Sequence, residues 1–254
     1  MSDQYKTAVI LGSGLGQITE RMTLDKTCSF AEVLGSSITS VAGHSGQLYF
    51  GSMHGHKVIC CQGRPHWYEG RESQDFLDFI QFFKDQGVEN LIITNASGGL
   101  SPKLNPGDVV LINDHINFQL QTPLIGKRDA DSKHFLSQDA VYDETMRSRI
   151  QSSAKKLDIH LPTGVYMSVL GPCFETPAEV NAFRMLGADV IGMSSVPEVI
   201  VAKYLGLKVA MVSVIVNMGA GMSNALLSHA HTLEMAKQSD TKLADLLEGY
   251  FKAL

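Results

Sequence analysis

Seven short apolar runs rich in β-branched residues lie at Thr7–Leu11, Val58–Cys61, Leu91–Thr94, Val109–Ile112, Gly164–Val169, Val190–Gly192 and Val209–Val216, with helical patterns spaced between them. Runs of that length without polar alternation read as strands buried on both faces, and it is helices that supply such cover. Phe76, Leu77, Ile80 and Phe83 share one face of a segment that stops near Gly87, and a second helical segment covers Asp143–Leu157. A third starts at Thr176, where Thr176 with Glu179 forms a capping box and Pro177 suits the first turn; Ser195-Val-Pro-Glu198 repeats that signature for a fourth. The last runs from Ser228 to Phe251, with Leu233, Ala236, Leu243 and Leu247 as its apolar stripe. The expectation is an α/β protein: one domain over residues 1–254, with a central mixed β-sheet flanked by helices and ligands gathered at the carboxyl ends of the strands.

Composition excludes several functions. A net charge of −5 with scattered Lys and Arg offers no field to a nucleic-acid backbone, so no nucleic acid is expected as partner. Every apolar run is too short to cross a bilayer, and Met1–Lys6 leads into the first run without a signal-like segment, which gives the expectation of a cytoplasmic protein with no membrane partner. Cys28, Cys60, Cys61 and Cys173 lack the paired spacing of a zinc or dithiol site and read as free thiols, with Cys60 and Cys61 on opposite faces of one strand. Met53-His-Gly-His56 reads as a polar hairpin turn rather than a metal site, because no Cys or acid nearby completes a ligand set. Gln119–His134, long and polar, is the candidate for a mobile or intersubunit loop.

Chemistry-bearing residues gather just after the strands. Leu11-Gly-Ser-Gly-Leu-Gly16 lets backbone N–H groups approach an anion and adds the Ser13 hydroxyl, although a plain tight turn explains it equally well. Its glycine spacing departs from the dinucleotide fingerprint. Gly63-Arg-Pro-His-Trp-Tyr-Glu-Gly70 carries more information: Arg64 can hold two oxygens of a phosphate, His66 can donate to a third, and Glu69 can orient His66. Thr94–Gly99 follows a strand with small residues that leave backbone donors accessible to a ligand, although a turn requiring glycine explains it equally well, and Gly192-Met-Ser194 sets Ser194 at a helix start, whose positive end favours an anion. Met193 suits an apolar sugar face or simple core. In Leu170-Gly-Pro-Cys-Phe-Glu-Thr-Pro-Ala-Glu179, Phe174 offers a face to a flat ring and Glu175 a carboxylate acceptor. Asn217, at the end of the longest run, is either a donor and acceptor for a heterocycle or a turn asparagine; His229 either reaches a hydroxyl or caps the last helix.

Taken in order, Gly12-Ser-Gly-Leu-Gly16, His44, Gly63–Gly70, Thr94-Asn-Ala96, Gly171-Pro-Cys-Phe-Glu-Thr176, Gly192-Met-Ser194, Val216-Asn-Met218 and His229 resemble the purine nucleoside phosphorylase family, in its trimeric class acting on 6-oxopurines. The resemblance runs along almost the whole chain. It implies phosphate binding by Ser13, His44, Arg64, His66, the Ala96 backbone and Ser194. It implies ribose binding by Tyr68, Met193 and His229, and purine binding by Tyr166, Phe174, Glu175 and Asn217, with Asn217, His66 and Glu175 in the catalytic roles. It also implies a homotrimer whose partners are a purine nucleoside and phosphate, with no metal and no organic cofactor because phosphate is the co-substrate. Phe135 is the nearest candidate for the aromatic that the family lends to a neighbouring site. The implied reaction is reversible phosphorolysis of inosine, guanosine, xanthosine and their deoxy forms to the free base and the sugar 1-phosphate, a step of purine salvage. Two other classes stay open from the residues alone: an oxidoreductase using Gly12–Gly16 for a dinucleotide, and a nucleoside-binding protein without turnover.

Overall fold

Neighbouring residues of the apolar runs face opposite ways, and each face has its own cover. The computed structural model describes residues 4–35, 45–223 and 228–254. Its described strands are β1 (Thr7–Leu11), β2 (Thr23–Ser29), β3 (Gln47–Met53), β4 (His56–Gln62), β5 (Asn90–Gly99), β6 (Val109–Asn117), β7 (Thr163–Ser168), β8 (Val190–Gly192) and β9 (Lys208–Met218). The described helices are α1 (Phe30–Leu34), α2 (Ser73–Asp85), α3 (Glu144–Lys156), α4 (Pro177–Met185), α5 (Val196–Tyr204) and α6 (His229–Lys252). Ala8, Ile10, Ile59, Leu91 and Ile93 point to one side, where Phe76, Phe79 and Phe83 of α2 and Val199 of α5 cover them. Val9, Leu11, Val58 and Ile92 point to the other, against Met146 and Ile150 of α3 and Leu243, Leu247 and Phe251 of α6. Cys61 lies in the first layer and Cys60 in the second, both free thiols, as their adjacency on a strand requires.

The sheet is mixed, in the order β2-β3-β4-β1-β5-β8-β7-β6-β9, and β5 also pairs with β9. The strands β5, β8, β7, β6 and β9 therefore close into a ring, from which β1, β4, β3 and β2 extend as a wing. The α/β expectation with a mixed sheet holds, and the closure adds to it. The wing's hairpin β3–β4 turns at His54 and Gly55, with φ of 49° and 83°, the left-handed pair that a two-residue hairpin needs. Glu248 of α6 clamps that turn, accepting from His54 at 3.0 Å, Arg21 at 2.8 Å and Lys252 at 2.7 Å. These contacts, Lys252 foremost, hold its carboxyl down at about 2.

Two local readings need correction. Thr94–Gly99 is not a turn after a strand: β5 continues through it, paired with β9, and a register shift between Ser97 and Gly98 marks a bulge. Ser195-Val-Pro-Glu198 is not a capping box, since Ser195 makes no side-chain cap and Glu198 is wholly buried. Residues 118–143 hold no helix or strand, yet the loop is tied down: Gln119 Nε2 donates to the Val169 carbonyl at 3.2 Å and the Tyr204 hydroxyl donates to Asp129 at 2.8 Å. Among the described residues no helix is long and apolar enough to cross a membrane.

Candidate active site

The strand ends and the loops after them converge on a partly open cavity of about 110 Å³. Ser13, Arg64, His66, Tyr68, Ala96, Phe174, Glu175, Met193, Ser194, Asn217 and His229 all line it. Of the residues singled out from the sequence, Tyr166 does not line the cavity and His44 lies outside the described residues.

Arg64 follows β4 and is only 1% exposed. Its Nη1 donates to the Ser195 hydroxyl at 2.7 Å and the Ser194 hydroxyl at 3.3 Å, while Nη2 donates to the Thr94 and Ile10 carbonyls. Nε faces Glu198 Oε1 at 3.5 Å. The fork expected to grip two phosphate oxygens is thus turned onto protein acceptors. Arg64 brings positive charge to the cavity lining, beside the Ser194 hydroxyl it donates to. Burial is the reason: a guanidinium withdrawn from water must have its N–H groups met by acceptors and its charge by a counter-charge. Ser195, at φ 73°, holds a left-handed backbone unusual for a non-glycine residue, and its hydroxyl also accepts from Asn95 Nδ2 at 2.8 Å. Ser97 in turn donates to Asn95 Oδ1 at 2.6 Å, so a buried polar chain runs from Arg64 along β5 to the bulge.

These supporting residues were missed. Glu198 left a signal, an acid inside a helix whose neighbours Val196, Pro197, Val199, Ile200, Val201 and Ala202 are all buried. Asn95, Ser97 and Thr232 also line the cavity.

After Arg64 the chain turns through His66 and Tyr68, whose rings stack with centroids 4.7 Å apart. His66 Nδ1 lies 2.9 Å from Glu69 Oε2; a carboxylate only accepts, so Nδ1 carries the hydrogen and the ring is fixed in orientation, as the sequence suggested. Burial, with Glu69 nearby, raises the Tyr68 phenol above its ordinary value and keeps it a neutral donor. Tyr68 and Met193 both press on Gly171, where a Cβ would come 2.5 Å from Met193 Sδ and 3.2 Å from Tyr68 Cδ1, so this wall requires glycine.

On the opposite side, Thr176 caps α4 as read: its hydroxyl accepts from Glu179 N at 3.3 Å, and Glu179 accepts from Thr176 N at 2.7 Å. That cap fixes the residue before it, Glu175, whose carboxyl is raised by burial above the usual carboxylate range. Asn217, near the end of β9, is 8% exposed; its Nδ2 donates to the Met218 carbonyl at 3.0 Å, which leaves a second amide hydrogen and Oδ1 for a ligand. His229 is not the cap of α6. Ser228 takes that role, accepting from His231 N at 3.2 Å, and His229 is the first helical residue, lining the cavity.

Tyr166 is fully buried and lies against Gly192, where a Cβ would strike its hydroxyl. Its ring stands behind Gly192, on β7 beside β8, where Tyr166 pairs with Val190.

Comparison with known proteins agrees with this geometry. The family model described as the phosphorylase superfamily matches residues 6–252. Purine nucleoside phosphorylase 1 of Bacillus subtilis is 40% identical over 239 residues, covering 94% of this chain and 88% of that one. The purine nucleoside phosphorylase of Rattus norvegicus is 40% identical, covering 94% and 85%. Among solved structures, Schistosoma mansoni purine nucleoside phosphorylase in complex with inosine superposes with a TM-score of 0.91 at 32% identity, covering 98% of this chain and 90% of that one. The same Schistosoma mansoni enzyme in complex with adenosine gives a TM-score of 0.91 at 31% identity, covering 98% and 91%. With sequence, fold and pocket in accord over nearly its whole length, the chain belongs to the phosphorylase superfamily, among the purine nucleoside phosphorylases.

Proposed function

We propose that this chain catalyses reversible phosphorolysis of 6-oxopurine nucleosides, taking inosine, guanosine, xanthosine and their deoxy forms to free base and sugar 1-phosphate. One observation carries the reading: Ser13, His66 and Ser194 share a single cavity with Phe174, Glu175 and Asn217, an anion side facing a ring side. Phosphate rests on Ser13, His66, Ser194 and the Ala96 backbone, with Arg64 supplying the field beneath. Tyr68, Met193 and His229 hold the ribose between the two sides. As the glycosidic bond breaks, the sugar becomes cation-like and the purine anion-like. Phosphate then needs only to be held against the anomeric carbon, and such positioning supplies about 7–11 kcal/mol in favourable cases. The Asn217 amide donates to the purine N7, where charge appears in the transition state. The reaction as proposed calls on no metal or organic cofactor. The test is hypoxanthine release from inosine, in the presence of a chelator, with and without phosphate. Release that requires phosphate and tolerates the chelator supports the reading; release without phosphate, or loss on chelation, rejects it.

Glu175 sets the choice of base. A 6-oxopurine carries a proton on N1 that an ionised carboxylate accepts, whereas the adenine N1 is itself an acceptor and repels it. Adenosine binding in a relative's pocket, as in the Schistosoma mansoni complex, is compatible with this, because the proposed discrimination is read in kcat/KM. Since burial raises the Glu175 pKa, its ionised form is lost at a higher pH than for an ordinary glutamate as the pH falls. The inosine KM is therefore expected to climb on the acid side, above the usual carboxylate range. Glu175→Gln should remove that acid limb, lower inosine kcat/KM by about 10–100-fold and raise the adenosine-to-inosine ratio. A pH profile and ratio identical to wild type would refute the assignment.

A homotrimer belongs to the same proposal. Phe118, Leu120, Ile125 and Phe135 are 41%, 84%, 64% and 83% exposed, more apolar surface along one loop than a lone subunit ordinarily leaves to water. A cytoplasmic location completes it, supported by four free thiols, two of them buried side by side in sequence.

A further inference from the structure

Asp240 is an acid in the middle of α6, 7% exposed, that no step above uses. Its Oδ2 accepts two backbone hydrogen bonds, from Gly16 N at 2.8 Å and Gln17 N at 2.8 Å. Those N–H groups open the short 3-10 helix Gln17–Arg21, whose N-cap Gly16 has no side chain to cap it. The acceptor comes instead from more than two hundred residues further along the chain. The same face of α6 carries His229 and Thr232 into the cavity, then Leu233 and Ala236, then Asp240. Gly14, at φ 74°, is seated on that face: a Cβ there would stand 3.1 Å from Ala236 Cβ and 3.3 Å from the Leu233 carbonyl. The glycine loop is thus held by α6 at two levels below the point where α6 itself enters the site.

We infer that Asp240 is a positioning residue for phosphate, fixing the Gly12–Gly16 loop so that Ser13, rather than the Gly16 and Gln17 N–H groups, faces the anion. This rests on the reading that the Ser13 loop receives phosphate. The carboxylate holds the far end of the loop on α6 through Gly16 N and Gln17 N, while Gly12 N donates to the Thr94 hydroxyl and Leu15 N to the Gly12 carbonyl, so the loop is tied on both sides of Ser13, which lines the cavity. Burial raises the Asp240 pKa, while the Gly16 and Gln17 N–H groups act the other way by favouring the charged form. An amide in its place can still accept both bonds on its carbonyl oxygen, whereas a methyl group cannot.

The experiment is calorimetric titration of inorganic phosphate into wild type, Asp240→Ala and Asp240→Asn, with steady-state kinetics beside it. Asp240→Ala is expected to weaken phosphate binding about tenfold and raise the phosphate KM by the same factor, with kcat at saturation and the inosine KM within about twofold. Asp240→Asn is expected to stay within about threefold of wild type throughout. Unchanged phosphate affinity in Asp240→Ala, or an equal loss in the phosphate KM, inosine KM and kcat, overturns the inference and leaves Asp240 a purely structural cap. If Asp240→Ala does not fold, amide hydrogen exchange of wild type decides: slower exchange at Gly16 and Gln17 on adding inorganic phosphate supports the inference, and no change overturns it. Because phosphate binding is read without turnover, a wild type that binds phosphate but leaves inosine intact refutes the phosphorylase reading alone. A wild type that turns over inosine while Asp240→Ala binds phosphate normally refutes this inference alone.

Discussion

Replacing Asn217 with alanine lowers kcat for inosine phosphorolysis by about 10²–10³-fold and leaves the phosphate KM within about threefold of wild type. The split follows from where the side chain sits. Asn217 lines the cavity with Glu175 and Phe174, near the end of β9, and under the proposed function the amide hydrogen not given to the Met218 carbonyl donates to charge that exists fully only as the base departs. An interaction made mainly in the transition state appears in kcat, and the phosphate groups are untouched by its loss. A purine already positively charged at N7 departs as a neutral base and needs no donor there, so such a nucleoside should lose little in the variant. Equal losses on both substrates, or a phosphate KM that rises in step with the fall in kcat, would overturn the leaving-group role.

The second large effect is on stability. Arg64→Met leaves Glu198, with no exposed surface, facing an apolar side chain where a guanidinium stood 3.5 Å away. It also removes the guanidinium donors to Ser195 and to the Thr94 and Ile10 carbonyls, although Ser195 keeps Asn95 and Ile10 keeps the Thr94 hydroxyl. Removing one member of a buried ion pair costs about 3–5 kcal/mol, a large share of what holds a domain folded. The paired substitution Arg64→Met with Glu198→Met removes both charges, and most of the lost unfolding free energy in urea should return. Turnover should not return, because the cavity floor has lost its positive charge. A single variant as stable as wild type, or a double variant no more stable than the single, would show that the pair does not hold this corner of the protein.

That corner also marks where sequence reading succeeded and where it stopped. The runs that became β1, β4, β5, β6, β7, β8 and β9 were visible because burial on both faces leaves a continuous apolar signature. β2 was invisible: Thr23-Leu-Asp-Lys-Thr-Cys-Ser29 has its first five residues exposed and is a strand only because β3 lies beside it. Side chains that line the cavity were legible because small-residue loops after strands advertise them. Those that hold such side chains in place were not. Ser195-Val-Pro-Glu198 and Thr176-Pro-Ala-Glu179 read alike, but one acid closes a box at the surface while the other is carried inside to meet Arg64, and only the packing around each decides which.

The closure of the sheet has a consequence for how the protein comes into being. β9, Lys208–Met218, is the strand that joins β5 to β6, and it is the last to leave the ribosome. β5 and β8 pair with each other through Gly98 and Gly99, but until β9 is inserted the ring stays open between β5 and β6 and its Asn217 is not in place. A growing chain can assemble the wing and its helices early, but nothing resembling a binding hollow precedes the final strand. Competence to hold a nucleoside therefore waits for β9 and for α6 behind it, whose His229 and Thr232 complete the lining.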